Sequence, residues 1–476
     1  MSKQIIIDKN VLFTQIAIVC EDEMIACYLE TSLKSDKQNS IIVGQVEQVV
    51  KNLKAVFIDY GDEKNGLLHM KHIPECYQNK LKQGNRLPVQ VTKQNTGEKG
   101  HKLTAKVNLM GRFLVCLPFE TEISISRKIR DLEKRKQLKE SIENMSRGKY
   151  GFVVRTNAQN ATPLQIERDA LELIEQADGF MKAKDCLSKG SILYEEPPLF
   201  VQLAREAFLE NNQEIEIISN QQEVLEFIRC DLVETSNECN LTFKLCNEPE
   251  GIFAIYDIEK EKSQLLNRKI WLKNGGNLVI DYTEAMTVVD VNSAKAVVTK
   301  NPQKAVLELN LLAVKETILQ ILRRNLSGMI LVDLVEMPFA PDKQKVYEYA
   351  KELLIKYQDK RTKVYPLTEL GLLQFSRSKK YTSIPEQLIG SCPHCNLPFG
   401  NKNFNYYMAE LEKKIKEIKE RTEHKVIFVE AEEEFIDFLS KNDCIDKLEN
   451  YYMIKIHLKK STGSLKKMFL CQFYQR

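Results

Sequence analysis

Between residues 263 and 380 the apolar positions alternate between strand-like and helix-like spacing. Two short runs rich in β-branched residues, at 278–280 and 286–289, follow the turn Gly275-Gly276 and predict a pair of strands. Residues 303–325 then place apolar side chains three and four positions apart, which predicts a long helix with a buried face, and a further apolar run follows at 329–337. This alternation of strands and helices predicts an α/β layer.

Three polar side chains interrupt this apolar pattern at the predicted strands. Asp290 and Asn292 follow the run 286–289 and are two positions apart, which places both on one face of an extended strand. Asp333 lies within the apolar run 329–337. A carboxylate in such a strand is costly unless it is paired, hydrogen-bonded or bound to a metal. The pattern therefore predicts a magnesium site that includes Asp290 and Asp333.

The first half of the chain has shorter strand signals. Residues 1–35 contain three strand-like runs, too few to enclose a core, and we expect strand-like runs between 214 and 255 to join them. Five short strands between residues 40 and 107, separated by glycine-containing turns, predict a barrel of the OB type. Residues 129–145 and 164–184 predict two helices that flank a strand ending at Arg155-Thr156.

The predicted barrel carries side chains that suit single-stranded nucleic acid. Ten lysines lie between residues 51 and 106, and Phe57 and Tyr60 supply aromatic rings. Lysines neutralise phosphates and rings stack on bases. The alternative is that Phe57 is a core residue of the barrel, and the pattern alone leaves both interpretations open. Arg155 beside Thr156 likewise suits a phosphate, or else forms an ordinary surface salt bridge.

Composition limits the class of protein. A chain of 476 residues predicts several domains, and its net charge of +3 is too small to indicate nucleic acid unless basic side chains cluster locally. The amino terminus has no secretory pattern and no apolar run is long enough to span a bilayer. Twelve mostly scattered cysteines favour a reducing cytoplasm, so we expect a cytoplasmic protein without a membrane span. Cys392 and Cys395 form the one close pair.

Seven motifs together resemble the ribonuclease E/G family, in the order that the family has them, from residue 1 to about 400. Each motif is weak alone, but seven in order are highly specific. They are 55–61 (AVFIDYG), 154–156 (VRT), Gly275-Gly276 with 281–285 (DYTEA), 290–293 (DVNS), Ser327-Gly328 with Val332-Asp333, 370–373 (LGLL) with Ser376-Arg377, and 392–395 (CPHC).

The resemblance implies a multidomain α/β fold. An RNase H-like subdomain, residues 1–37 with 198–262, would be interrupted by an S1-type OB-fold RNA-binding domain at 38–119 and a 5′-sensor domain at 120–197. A DNase I-like α/β catalytic domain at 263–387 would follow. A zinc link at 388–400 and a small α+β C-terminal domain at 401–476 would complete the chain. The length fits the short members of the family.

The resemblance also implies a reaction. Such proteins cleave single-stranded RNA endonucleolytically with magnesium, leave 5′-phosphate and 3′-hydroxyl ends, respond to a 5′-monophosphate, and act in rRNA and mRNA processing and decay. Asp290 and Asp333 match the magnesium ligands, and Asn292 matches the group that positions the scissile phosphate. The other matching residues are Arg155, Thr156 and Arg377 for the 5′-phosphate, and Phe57, Lys99 and Lys106 for RNA contact in the barrel.

The cysteine pair offers half of a tetrahedral zinc site, and the chain has no second CxxC. In the family, two protomers each contribute such a pair to one shared zinc. The resemblance therefore implies that Cys392 and Cys395 bind zinc between subunits of a homodimer, or of a homotetramer. The residues themselves also allow idle thiols or a redox switch.

Several positions depart from the family pattern. Leu67 stands where the family often has a second phenylalanine, and residues 396–400 replace a glycine-rich stretch after the second cysteine. Ala294 and Glu336 are smaller departures, and none of these changes removes a proposed magnesium ligand. Two other hypotheses remain. One is a non-catalytic RNA-binding protein whose carboxylates are structural, and the other is a redox-responsive assembly factor built on the cysteine pair.

Overall fold

The computed structural model describes residues 3–32, 39–62, 64–78, 81–93, 100–184, 186–210, 214–233, 241–248, 251–293, 302–391, 398–421, 425–461 and 469–472. Up to residue 210 the strands are β1 (Lys3–Lys9), β2 (Phe13–Cys20), β3 (Glu23–Thr31), β4 (Ile41–Val50), β5 (Ala55–Asp59), β6 (Gly66–His69), β7 (Arg86–Lys93), β8 (Lys102–Thr104), β9 (Leu109–Met110), β10 (Leu114–Leu117), β11 (Ile123–Ile125), β12 (Gly151–Val154) and β13 (Ile192–Tyr194). The helices of this part are α1 (Glu75–Gln78), α2 (Leu132–Ser146), α3 (Pro163–Ala183) and α4 (Leu199–Glu210).

After residue 210 the strands are β14 (Ile215–Ser219), β15 (Leu241–Leu245), β16 (Lys269–Trp271), β17 (Asn277–Tyr282), β18 (Met286–Asn292), β19 (Gly328–Asp333), β20 (Thr362–Tyr365), β21 (Leu372–Arg377), β22 (Ile389–Ser391), β23 (Pro398–Lys402), β24 (Val426–Ala431), β25 (Lys455–Lys460) and β26 (Phe469–Gln472). The helices are α5 (Gln222–Val233), α6 (Ile252–Ile255), α7 (Glu259–Ser263), α8 (Pro302–Arg323), α9 (Ala340–Lys356), α10 (Ile384–Leu388), α11 (Phe404–Arg421), α12 (Glu433–Lys441) and α13 (Cys444–Tyr452). The chain forms two compact units, 34–210 and 1–33 with 211–476.

The unit formed by residues 34–210 contains a closed five-stranded barrel. Its strands follow the order β4-β5-β6-β8-β7, and β7 pairs back onto β4 to close the ring. Alternate side chains such as Val56, Ile58 and Leu68 fill the interior and are fully buried. Gly44 lies where a Cβ atom would meet Ile58 Cγ2 at 2.4 Å, so the interior has no room for a side chain there. The expected barrel is confirmed as a closed five-stranded barrel, which is consistent with the OB type.

A second sheet in the same unit, in the order β11-β12-β10-β9, packs against α2 and α3. Its core includes Phe152, Ile142 and Leu173. The buried carboxylate of Asp169 on α3 accepts hydrogen bonds from the backbone N–H groups of Arg112, Phe113 and Leu114, at 2.8–2.9 Å. These bonds fix the start of β10 against α3.

In the other unit, a five-stranded sheet has the order β15-β14-β1-β2-β3. Strand β1 is antiparallel to β2 and parallel to β14, so residues near the amino terminus and residues beyond 214 share one sheet. The three-stranded sheet β25-β24-β26 packs with α11, α12 and α13 around Leu411, Phe435 and Leu439. Glu412 of α11 accepts the backbone N–H groups of Val11 and Leu12 at 2.6 and 3.0 Å, which ties this helix to the β1–β2 connection.

The six-stranded sheet that carries the candidate site has the order β16-β17-β18-β19-β21-β20. Apolar side chains on one face of it, including Val289, Ile330 and Phe375, are almost completely buried, and α8 and α9 pack against the sheet. The alternate residues project from the opposite face, which is more exposed. The chain is thus a mixed α/β protein, as expected. Within its described residues no helix is long and apolar enough to cross a membrane.

Candidate active site

Asp290 and Asp333 become neighbours through a parallel strand pair. Strand β18 leads into α8, and β19 returns beside β18 in a parallel register that pairs Asp290 directly with Asp333. Residues paired in this way project from the same face of a sheet, and the strands lie about 4.8 Å apart. Both side chains are exposed at the ends of their strands. The fold therefore brings two carboxylates together at one edge of the open face.

Asn292 completes this group. It lies two residues after Asp290 on the same strand, and its Nδ2 atom donates a hydrogen bond to Asp290 Oδ2 at 2.8 Å. The bond holds one oxygen of the Asp290 carboxylate and leaves the other available. The amide oxygen of Asn292 is a further polar atom beside the pair.

No lysine, arginine or histidine in the described part of the chain forms an ion pair with Asp290 or Asp333. Asp281, on the same face of the neighbouring strand β17, provides the contrast. Arg268 donates to both of its carboxylate oxygens, at 2.5 and 2.9 Å, and this hydrogen bonding lowers the pKa of Asp281. Asp281 is therefore neutralised by the protein, whereas the adjacent pair of carboxylates has a charge that a cation would balance.

The donor set fits magnesium. Among the residues described here, His, Cys, Asp and Glu side chains form no group of three or more that could hold a metal. Magnesium is usually bound by one or two carboxylates together with water and substrate phosphates. Asp290 and Asp333 match that requirement, because they are adjacent carboxylates that form no ion pair with a described protein cation.

Asn310, a fully buried residue of α8, holds the chain at the end of the strand that carries Asp333. Its Nδ2 donates to the carbonyl of Val335 at 2.8 Å, and its Oδ1 accepts the backbone N–H of the same residue at 3.1 Å. This two-bond clamp fixes the chain just after Asp333. A polar residue inside an apolar helix was visible in the sequence, but its partner required the fold.

The barrel of the other unit presents a separate candidate surface. Phe57 is partly buried and lies on the opposite side of β5 from the interior residues Val56 and Ile58, so it is not a core residue of the barrel. Strand pairing places Phe57 beside Leu67, and Leu67 beside Lys102 of β8. An aromatic ring, an aliphatic side chain and a lysine thus form one row. Lys102 belongs to this row only because β6 and β8 are neighbours.

Lys106 is exposed just beyond β8. Its backbone N–H donates to Thr104 Oγ1 and to the carbonyl of His72, both at 3.1 Å, which fixes the turn that presents its side chain. Lys99 lies outside the described residues.

Arg155 and Thr156 follow β12, in the same unit as the barrel. Arg155 is exposed and its Nη1 donates to the carbonyl of Gly111 at 2.9 Å, whereas Thr156 Oγ1 lies 2.9 Å from Ser126 Oγ. Arg135 of α2 donates to the carbonyls of Ser126 and Ile129 at 2.8 and 3.0 Å. A guanidinium and two hydroxyl groups therefore gather beside a loop held by a second arginine. No pattern in the sequence indicated the role of Arg135.

Comparison with known proteins identifies relatives of this chain. The model of the ribonuclease E/G family matches residues 108–380, a segment that includes Arg155, Asp290 and Asp333. Ribonuclease G of Haemophilus influenzae is 30% identical over 401 residues, which cover 80% of this chain and 81% of that protein. The chain belongs to the ribonuclease E/G family.

Other members of the family have a similar percentage of identity to this chain. Ribonuclease G of Escherichia coli K12 is 28% identical over 83% of this chain and 84% of its own length. Ribonuclease E of Buchnera aphidicola subsp. Schizaphis graminum is 28% identical over 80% of this chain, but the match covers only 41% of that longer protein. Membership in the ribonuclease E/G family confirms the predicted family and the predicted enzyme class, an endoribonuclease.

Arg377 differs from the other residues predicted to contact RNA. It is only 4% exposed, and its Nε donates to Asp359 Oδ2 at 3.2 Å. Its Nη1 donates to Asn325 Oδ1 at 2.9 Å and to the carbonyl of Leu326 at 2.8 Å. The guanidinium is thus bonded inside the domain, which favours a structural role over the predicted contact with a 5′-phosphate. Cys392 and Cys395 lie outside the described residues.

Proposed function

We propose that this protein is a magnesium-dependent endoribonuclease of the ribonuclease E/G family that cleaves single-stranded RNA to 5′-phosphate and 3′-hydroxyl ends. Asp290 and Asp333 hold the ion, and Asn292 restrains Asp290 and positions the scissile phosphate. The observation that supports this most is the direct pairing of the two carboxylates on β18 and β19, neither of which forms an ion pair with a cation among the described residues. Acting in this way, the enzyme serves in rRNA and mRNA processing and decay.

The residues of the site divide the work. When bound, magnesium supplies Lewis-acid stabilisation of the negative charge that develops on the scissile phosphate. Asp290 and Asp333 fix the position at which that charge is neutralised. Asn292 limits rotation of the Asp290 carboxylate through its 2.8 Å hydrogen bond, and Asn310 keeps the β19 end in place. The chain thereby contributes an anionic site whose carboxylates are held in place before the substrate binds.

The unit formed by residues 34–210 binds the RNA. The barrel, as an S1-type OB domain, uses Phe57 for stacking and Lys99 and Lys106 for phosphates, and its affinity falls with salt because phosphate contacts release counterions. Arg155 and Thr156 form a pocket for a 5′-monophosphate. RNase H-like and DNase I-like domains, with a small C-terminal domain, form the rest of the cytoplasmic enzyme. Cys392 and Cys395 share a zinc with the same residues of a second protomer.

Replacement of Asp333 by Asn tests the catalytic site. The substitution removes one negative charge from the pair but keeps the size of the side chain, so we expect magnesium-dependent cleavage to fall by about 10³-fold or more while RNA affinity stays unchanged. Cleavage is measured on a single-stranded oligoribonucleotide, with end-group analysis of the products and with binding followed in EDTA.

Asp281→Asn is the matched control, because Asp281 has the same chemistry on the same face but is paired with Arg268. It is expected to cleave normally. The catalytic assignment fails if Asp333→Asn cleaves at the rate of the unmodified protein. That result would favour the alternative, a non-catalytic RNA-binding protein whose preparations carry a separate nuclease.

A second experiment tests the 5′ pocket. We expect faster cleavage of a 5′-monophosphorylated oligonucleotide than of its 5′-hydroxyl twin, because Arg155 and Thr156 bind the terminal phosphate. Arg155→Ala is expected to remove the difference, whereas Lys139→Ala, which removes an exposed charge from α2 in the same unit, is expected to keep it. Equal rates on the two substrates with the unmodified protein would refute the pocket.

A further inference from the structure

The open face of the six-stranded sheet carries an aromatic residue that the catalytic proposal does not use. Trp271 is the only tryptophan of the chain and is 65% exposed at the end of β16. The ammonium nitrogen of Lys269 lies 4.3 Å from the centre of its ring. A large exposed ring on a folded protein is a common mark of a binding surface.

Strand register relates this ring to the carboxylates. Trp271 pairs with Asn277, which pairs with Asn292. Lys269 pairs with Val279, which pairs with Asp290 in the adjoining row. Residues in such rows share one face of the sheet, so Trp271 and Lys269 lie two strands, about 10 Å, from the strand of Asp290 and three strands from that of Asp333.

Asn277 lies between Trp271 and Asn292 in this row. It is only 4% exposed, and its side-chain oxygen has no hydrogen-bond partner among the residues described. An unsatisfied buried oxygen is costly, and a hydroxyl or amino donor of a bound molecule would satisfy it. The two neighbouring rows thus offer an aromatic ring, a cation and a hydrogen-bond acceptor between the edge strand β16 and the proposed site of cleavage.

We propose that Trp271 stacks on a base of the substrate RNA beside the scissile phosphate, with Lys269 contacting the backbone phosphate next to that base. The inference rests on the proposed function, because it takes the Asp290–Asp333 pair as the site where RNA is cut. A single strand is the occupant that the surface fits. Its bases stack on rings without a strong sequence preference, and its phosphates pair with lysine. The platform would hold the strand in register with the carboxylates.

The tryptophan itself provides the measurement, since every change in intrinsic tryptophan fluorescence comes from residue 271. A single-stranded oligoribonucleotide is titrated into the full-length protein in EDTA, where cleavage does not occur. We expect quenching that saturates with binding. Trp271→Ala is expected to weaken RNA affinity about ten-fold, as followed by a label on the RNA. With magnesium, the same variant should raise KM more than it lowers kcat, because stacking also stabilises the bound substrate.

Two variants make the result interpretable. Trp271→Phe keeps a ring and is expected to retain most of the affinity. Ile355→Ala removes another exposed apolar side chain, 76% accessible, from α9 and is expected to leave RNA affinity and cleavage unchanged. If Trp271→Ala does not fold, the fluorescence titration of the unmodified protein and the Trp271→Phe variant decide the question.

The proposal is overturned if RNA leaves the fluorescence unchanged or if Trp271→Ala binds and cleaves like the unmodified protein. A change in oligomeric state with unchanged RNA affinity would overturn it in favour of a contact between two copies of the chain. Failure of the proposed function gives a different result, continued cleavage by Asp333→Asn, so the two failures are distinguishable.

Discussion

Individual carboxylates on one sheet differ because their partners differ. Asp281 and Asp290 lie on the same face of adjacent strands. Arg268 donates a hydrogen bond to each carboxylate oxygen of Asp281, whereas no described cation pairs with Asp290. Asp333, beside Asp290 on the next strand, likewise forms no ion pair with a described cation. A carboxylate already matched by a guanidinium has little to offer a metal ion. A pair without such a partner is the better magnesium site.

The same comparison applies to arginines. Arg155 is exposed with part of its guanidinium available, whereas Arg377 is bonded to Asp359, Asn325 and a backbone carbonyl in the interior. Burial lowers the pKa of Arg377, which shows how far the guanidinium is removed from water. The difference in exposure therefore indicates that Arg155 is able to contact a phosphate, whereas Arg377 stabilises the fold.

Replacement of Arg377 by Ala tests this distinction. We expect the free energy of unfolding to fall by about 3 kcal/mol, because the buried Asp359 would lose one of its two arginine partners and the carbonyl of Leu326 would lose its donor. The ratio of cleavage rates on 5′-monophosphorylated and 5′-hydroxyl RNA should not change in the folded fraction. Denaturant titration and the two-substrate assay check these outcomes. A variant of normal stability that has lost the rate ratio would restore the sequence-based assignment.

At the scale of elements, the unit β18–α8–β19 builds the candidate site. The helix returns the chain to the edge of β18, and Asn310 on that helix clamps the residue two positions after Asp333. Packing of the helix against the buried face of the sheet thus sets the strand register on the open face.

A second contact between distant elements joins α11 to the β1–β2 connection through Glu412. This residue is 1% exposed and also accepts a hydrogen bond from Tyr452.

The Glu412 junction predicts a pH dependence of stability. Burial raises the pKa of Glu412 from its ordinary value of 4.5 to about 7. Between these two values the folded state keeps a proton that the unfolded state has lost, so stability decreases as pH rises. The full change is about 3 kcal/mol and is complete above pH 7.

Glu412→Gln should flatten this decrease because the amide does not titrate, and Glu420→Gln, an exposed residue of the same helix, should leave it unchanged. Unfolding in denaturant at a series of pH values measures both. The same slope in the unmodified protein and in Glu412→Gln would show that the junction does not contribute.

At the scale of the whole molecule, charged side chains are concentrated in separate regions. The net charge of +3 is the sum of unlike regions: ten lysines lie between residues 51 and 106, whereas Asp290 and Asp333 lie side by side and form no ion pair within the described part of the chain. The lysines suit an RNA backbone and the aspartates suit a divalent cation. The two opposite local charges, in separate units of the chain, fit the proposed roles in binding and cleavage better than the total charge does.

The assembly prediction also belongs to this scale. If Cys392 and Cys395 of two protomers share one zinc, the purified protein should contain about half a zinc ion per chain. Cys392→Ser should lose the zinc and shift the dimer toward monomer, because half of each ligand set is removed. Elemental analysis and light scattering measure the two quantities. Cys230→Ser, at an exposed cysteine elsewhere, is the control. One zinc per chain, or a stable dimer without zinc, would contradict the shared site.

The sequence by itself determined the alternation of strands and helices, the barrel, the family motifs and the set of candidate carboxylates. It could do so because side-chain periodicity and short motifs are local properties of the chain. The tertiary structure decided which of those residues meet. The pairing of Asp290 with Asp333, the neutralisation of Asp281 by Arg268, the burial of Arg377 and the row from Trp271 to Asn292 all depend on strand order and register. Packing between distant segments sets strand order and register, and a local pattern carries no information about its distant partner.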